Sequence, residues 1–117
     1  MRIIVAGSTT WTNREAIASQ LKSLPADTIV VFGDAPGADA IAGEIAAELG
    51  LTTEPMVKNA ADQQKYGPVA WKGLNERMLA TGVDQILAFH PDVDTSTGTK
   101  HLIEIAERTV KVKVFAT

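Results

Sequence analysis

The sequence predicts a single three-layer α/β domain over residues 1–117, a five-stranded parallel sheet with helices on both faces. Three observations carry this. Short β-branched runs alternate with segments of helical period at the spacing of successive βαβ units. Several of the strand runs stop at, or close to, a glycine-bearing loop that leads into a helix. The length of 117 residues suits one domain with one core.

Ile3-Ile4-Val5-Ala6 is the first strand, ending at Gly7. Thr12-x-x-Glu15 has the form of a capping box and opens a helix carrying Ile17, Leu21 and Leu24 before Pro25. Thr28 to Phe32 is the second strand. After Gly37 a helix bears Ile41, Ile45 and Leu49 at four-residue spacing and stops at Gly50. The third strand runs from about Thr52 to Val57 and contains Pro55; the polar stretch from Lys58 to Gly67 reads as irregular. A third helix shows Trp71, Leu74 and Met78 on one face, with Gly82 past its end. That apolar face is a candidate surface for self-association, as a homodimer or higher homo-oligomer. Ile86 to Phe89, Thr97 to Arg108 and Val110 to Phe115 give the fourth strand, fourth helix and fifth strand.

Strand chemistry orders the sheet. Central parallel strands are covered on both faces and read as continuous apolar runs, whereas edges carry proline or charge. Pro55 marks the third strand as an edge, and the alternation Val110-Lys111-Val112-Lys113-Val114 marks the fifth. The order 3-2-1-4-5 follows, a Rossmann-like arrangement whose switch point lies between the first and fourth strands.

Composition excludes several classes. No cysteine is present, so there is no disulfide framework, thiolate nucleophile or thiolate metal site. A net charge of -3 and a pI near 5.3 offer no general attraction for nucleic acid. No apolar run approaches the length of a membrane span, and the start Met1-Arg2-Ile3-Ile4-Val5 lacks the pattern of a signal peptide, so a cytoplasmic location is expected.

Three loops are expected to meet at the switch point: Gly7-Ser8-Thr9-Thr10-Trp11, Gly33-Asp34-Ala35-Pro36-Gly37-Ala38-Asp39 and Thr95-Ser96-Thr97-Gly98-Thr99. Small residues let the backbone approach a phosphate, and amides at a helix start present partial positive charge to it. Each loop taken alone is better explained by the needs of turns and caps; convergence is what favours binding. None is a Gly-x-x-x-x-Gly-Lys or a Gly-x-Gly-x-x-Gly loop.

The strings Gly7-Ser8-x-x-Trp11-Thr12, Gly33-x-Ala35-x-Gly37-Ala38-Asp39, Asn75-x-x-Met78-Leu79, Asp84-x-x-Leu87-Ala88-Phe89 and Ser96-x-Gly98-Thr99 together resemble the YspA-like branch of the SLOG superfamily. That superfamily includes the LOG phosphoribohydrolases and the DprA/Smf DNA-processing proteins. The resemblance implies a Rossmann-like fold and a nucleotide or nucleotide-derived ligand. Where the family pattern has three arginines, this chain has Thr9, Pro36 and Leu74, which cannot replace bidentate phosphate contacts. Either the ligand carries less phosphate charge, or backbone amides and Lys72, Lys100 or Arg77 take over. The LOG catalytic glutamate falls on Leu102, and Glu104 is two positions out of register, about 200° around a helix.

The ligand-binding candidates are thus Gly7, Ser8, Thr9, Trp11, Gly33, Asp34, Gly37, Ala38, Asp39, Asn75, Ser96, Gly98 and Thr99. Asp39 suits ribose hydroxyls or the helix dipole; Trp11 suits stacking on a base or covering the sheet edge; Asn75 suits the pocket or a loop cap. His90-Pro91-Asp92-Val93-Asp94 has metal-like donors but reads better as a solvated loop, and His101 reads as a surface residue. The expected function is a binder, acting as sensor, carrier or sequestering protein, of a nucleotide-derived small molecule, with no required cofactor or metal and no catalytic residue assigned. The alternative is a hydrolase of an N-glycosidic bond using Asp39 or Glu76. Nucleic acid and membrane are disfavoured as partners.

Overall fold

A computed structural model describes all of residues 1–117. Its elements are β1 (Arg2–Gly7), α1 (Arg14–Lys22), β2 (Ile29–Phe32), α2 (Ala38–Glu48), β3 (Thr52–Pro55), α3 (Ala60–Tyr66), α4 (Trp71–Ala80), β4 (Gln85–Phe89), α5 (Gly98–Ala106) and β5 (Lys111–Phe115). Single 3-10 turns at Gly67–Val69 and Val93–Thr95 complete the chain. All strands are parallel in the order β3-β2-β1-β4-β5, as strand chemistry requires. Pro55 and the lysines of β5 stand at the two edges, where a missing donor or a charge costs least.

The two-residue period of the strands divides the core. Ile3, Val5, Val30, Leu87 and Phe89 face α1 and α2, meeting Ile17, Leu21, Ala42 and Ile45. Their neighbours Ile4, Ala6, Val31 and Ile86 face α4 and α5, meeting Leu74, Met78, Leu102 and Ala106. A one-residue slip would exchange these sets, so burial on both faces locks the register. Leu74 and Met78 pack into the core on this face of the sheet, whereas Trp71 is partly buried. No helix is long and apolar enough to cross a membrane.

Two local expectations are corrected. The cap of α1 is Asn13, not Thr12: its side chain accepts the Ala16 amide at 3.1 Å. The polar stretch after Lys58 is not irregular, since α3 forms there behind a reciprocal capping box between Asn59 and Asp62. Asp62 is buried against α4, where it accepts from the Arg77 guanidinium at 2.6 Å beside Gly73, whose missing side chain leaves it room. Hydrogen bonds from Arg77 hold the Asp62 carboxyl below the usual range. Apolar periodicity does not signal a helix held this way.

Candidate functional site

The strand order leaves a crevice where the connections leaving the paired strands β1 and β4 turn to opposite faces of the sheet, and the loops after β1, β2 and β4 fill its rim. Close approaches tie the first loop to the second loop and to β4. The amides of Trp11 and Ala38 both donate to the Ser8 carbonyl, at 3.2 and 3.0 Å, and the Ser8 amide donates to Phe89 O at 2.9 Å. Gly7 lies so near β4 that a Cβ would fall 2.1 Å from that same Phe89 oxygen. The Ser8 hydroxyl accepts from the Thr10 amide at 3.1 Å, folding the loop back on itself.

The cleft so formed has a volume of about 430 Å³, within the range of small-molecule sites. Gly7, Ser8, Thr9, Gly33, Asp34, Asp39, Asn75, Ser96, Gly98 and Thr99 all line it. Ala6, Leu74, Met78 and Leu102 give it an apolar floor.

Three of the expected residues lie elsewhere. Trp11 is buried against Phe89, with ring centroids 5.7 Å apart and an edge-on arrangement, and its Nε1 donates to Asn13 O at 2.9 Å. It seals the core and borders a second, smaller depression with Asn13 and Thr117, so it is not placed to stack on a base in the main cleft. Gly37 and Ala38 join the loops: Ala38 by its amide, and Gly37 by adopting φ 76° where a side chain would strike Ser8 and Thr9.

Two carboxylates share one wall with opposite character. Asp39 accepts the Ala35 amide at 3.3 Å, closing its own loop, and burial pushes its pKa up to about 6, outweighing that hydrogen bond. Asp34 is opposed by Lys58, whose Nζ lies at 2.6 Å and whose amide lies at 3.1 Å. Burial raises the Asp34 carboxyl, but the hydrogen bonds and charge of Lys58 together bring it below the ordinary value.

Opposite stands the face of α4. Trp71, Leu74, Asn75 and Met78 follow one another at helical spacing and all line the cleft. Asn75 Nδ2 donates to Gly98 O at 3.0 Å and meets His101 Nδ1 at 3.1 Å, so α4 braces the first turn of α5. His101 is therefore not a free surface residue; it also packs edge-on against Trp71. Burial, then the charge of Lys72, lowers its pKa. The Ser96 hydroxyl accepts the Thr99 amide at 3.1 Å, while the Gly98 and Lys100 amides of that turn have no partner within the protein.

No protein-family model matches the chain. The Gene 61 protein of Mycobacterium phage D29 is 32% identical over 114 residues, which cover 92% of this chain and 89% of that protein. The chain belongs to the family of that phage protein. Among solved structures, the X-ray structure of DNA processing protein A (DprA) from Streptococcus pneumoniae superposes with a TM-score of 0.55 at 15% identity, over 98% of this chain. The match spans 59% of the DprA chain, and what the two share is the fold.

Trp71, Lys58 and His90 also line the cleft, although the sequence places Trp71 on an apolar helix face, Lys58 at the start of a polar stretch and His90 in a solvated loop. Trp71 had a usable signal, since it lies four residues before Asn75 on the same helix face. Lys58 had none, because its position depends on where β3 ends beside β2. Arg77, considered as a phosphate ligand, is committed to Asp62 and to Val57 O. His90 Nδ1 accepts the Asp92 amide at 2.9 Å, and no group of three or more His, Cys, Asp or Glu side chains is arranged to hold a metal. Glu104 is exposed, and Leu102 is buried in the position where a catalytic carboxylate was sought.

Proposed function

We propose that this protein binds a nucleotide or nucleotide-derived small molecule in the cleft above β1, β2 and β4, as a sensor, carrier or sequestering protein related to the YspA-like branch of the SLOG superfamily. The observation that carries the reading is the meeting of three glycine-bearing loops around one cleft of about 430 Å³ at the switch point of a parallel sheet. Backbone amides at the start of α5 and the hydroxyls of Ser8, Thr9, Ser96 and Thr99 supply donors, and the apolar floor with Trp71 supplies contact for a base. Lys58 is the single Lys or Arg of the lining, and it is paired with Asp34. This favours ligands of low phosphate charge. Binding on these terms needs neither metal nor cofactor.

The test is native mass spectrometry of the purified protein, followed by a thermal-shift screen of nucleosides, nucleotides and nucleotide sugars. A retained or added ligand that raises the melting temperature is expected; a uniformly negative screen would sink the reading. Single-stranded oligonucleotides belong in the same screen at low salt, and salt-sensitive binding there would favour a nucleic-acid partner.

Asp39 favours a second reading, hydrolysis of an N-glycosidic bond. A cleft carboxyl with a pKa near 6 is suited to general acid or base work at neutral pH. Turnover of nucleoside monophosphates or nucleotide sugars that disappears in Asp39→Ala would establish it, and binding without turnover would dismiss it.

A further inference from the structure

The amide of Asn75 is fixed in one orientation by its neighbours. Gly98 O can only accept, so the atom 3.0 Å from it is the nitrogen. That nitrogen has two protons, and the second points to His101 Nδ1 at 3.1 Å. His101 therefore accepts through Nδ1 and carries its own proton on Nε2. Both donors of Asn75 are spent on the protein.

Its oxygen is not. Asn75 is 7% exposed, yet Oδ1 makes no hydrogen bond within the protein, and the fully enclosed unpaired side-chain atoms are Arg2 Nε and Thr28 Oγ1 alone. The oxygen is therefore not fully enclosed, and Asn75 lines the cleft. Rotating the amide to hide it would bring two carbonyl oxygens together at Gly98. One helical turn away, Trp71 contributes an aromatic surface to the same wall.

We infer that Asn75 is a specificity-determining residue whose Oδ1 accepts a hydrogen bond from an amino group on an aromatic base lying against Trp71. The inference rests on the proposed nucleotide-type ligand and names the feature read at this end of the cleft: an amine-bearing purine or pyrimidine. An acceptor fixed in a buried wall discriminates strongly, because a base without a donor leaves it unpaired and desolvated.

Two matched pairs test this by isothermal titration calorimetry: adenosine against purine riboside, and cytidine against 2-pyrimidinone riboside. Each pair differs only in the exocyclic amine. In at least one pair the amine-bearing nucleoside binds about tenfold tighter or more, and Asn75→Ala reduces that ratio to less than about threefold while circular dichroism shows a native fold. A wild-type ratio near one in both pairs overturns the inference and leaves nucleoside binding standing, as does a ratio unchanged by Asn75→Ala. Failure of all four nucleosides and of their 5′-monophosphates to bind overturns this inference, while the nucleotide reading falls only with a uniformly negative thermal-shift screen. Should Asn75→Ala not fold, the wild-type ratios decide the matter alone.

Discussion

The Lys58 ammonium stands 2.6 Å from the Asp34 carboxylate, which also accepts the Lys58 backbone amide at 3.1 Å. This pair ties the end of β3 to the loop after β2 and uses the one strong cation at the cleft. Both side chains are partly exposed, so the pair adds little to stability, about 0–1 kcal/mol. Its effect is expected in ligand choice. Monophosphates should bind at least as tightly as the matching triphosphates, and Asp34→Asn, which releases Lys58, should shift the preference toward the triphosphate by about fivefold in calorimetric titrations. A wild-type preference for triphosphates would contradict this assignment.

Asp39 makes stability depend on pH. Its carboxyl is raised from 3.8 to about 6 because burial disfavours the charged form. The folded protein therefore holds a proton that the unfolded chain has released. The associated stability is fully present below pH 3.8 and is lost as pH rises through about 6. Asp39→Asn lacks that loss. The variant should match the wild type near pH 4 and exceed it by on the order of 2 kcal/mol at pH 8, in urea titrations run across that interval. An equal difference at both ends would show that the carboxyl is not perturbed.

Gly37 and Gly50 share φ 76° but differ in surroundings. A Cβ on Gly37 would lie 2.3 Å from Ser8 O, whereas one on Gly50 would meet nothing within 4 Å. Gly50→Ala should then cost only the left-handed conformation, about 1 kcal/mol. Gly37→Ala must also push the first loop away from the second, so a loss of about 2–4 kcal/mol is expected, together with weaker ligand binding. Denaturant midpoints of the two variants compare them directly.

The two tryptophans should separate stability from binding. Trp11→Ala empties a core position against Phe89 and is expected to cost about 3–5 kcal/mol. Trp71→Ala removes a half-buried cleft residue; it should change stability by about 1 kcal/mol while weakening ligand binding about tenfold. In Trp11→Phe, the remaining fluorescence should still respond to ligand. Loss of that response would place the ligand away from Trp71.

The first loop shows how far a motif leads by itself. Gly7 and Ser8 sit where their spacing after a strand suggests, at the cleft, because a βα loop at the carboxyl edge has few other places to go. Trp11, three residues beyond, turns instead into the core. Nothing in its local sequence distinguishes the two destinations; the choice depends on Phe89, which comes from the fourth strand. Asn75 likewise reads locally as one polar residue on an apolar helix face, and its fixed orientation exists only because Gly98 and His101 lie across from it.

By itself the sequence determined the element types outside α3, the parallel sheet and its order, since apolar period, proline at one edge and lysine at the other are properties of short segments. It also named the loops that surround the cleft. Tertiary structure alone decided which tryptophan faces the cleft, which cation reaches it, and which carboxyl is raised and which lowered. Those outcomes depend on burial and on partners distant in the chain, as with Lys58 beside Asp34 and Gly98 beside Asn75. Short-range pattern carries no record of such distances, whereas desolvation and hydrogen bonding depend on little else.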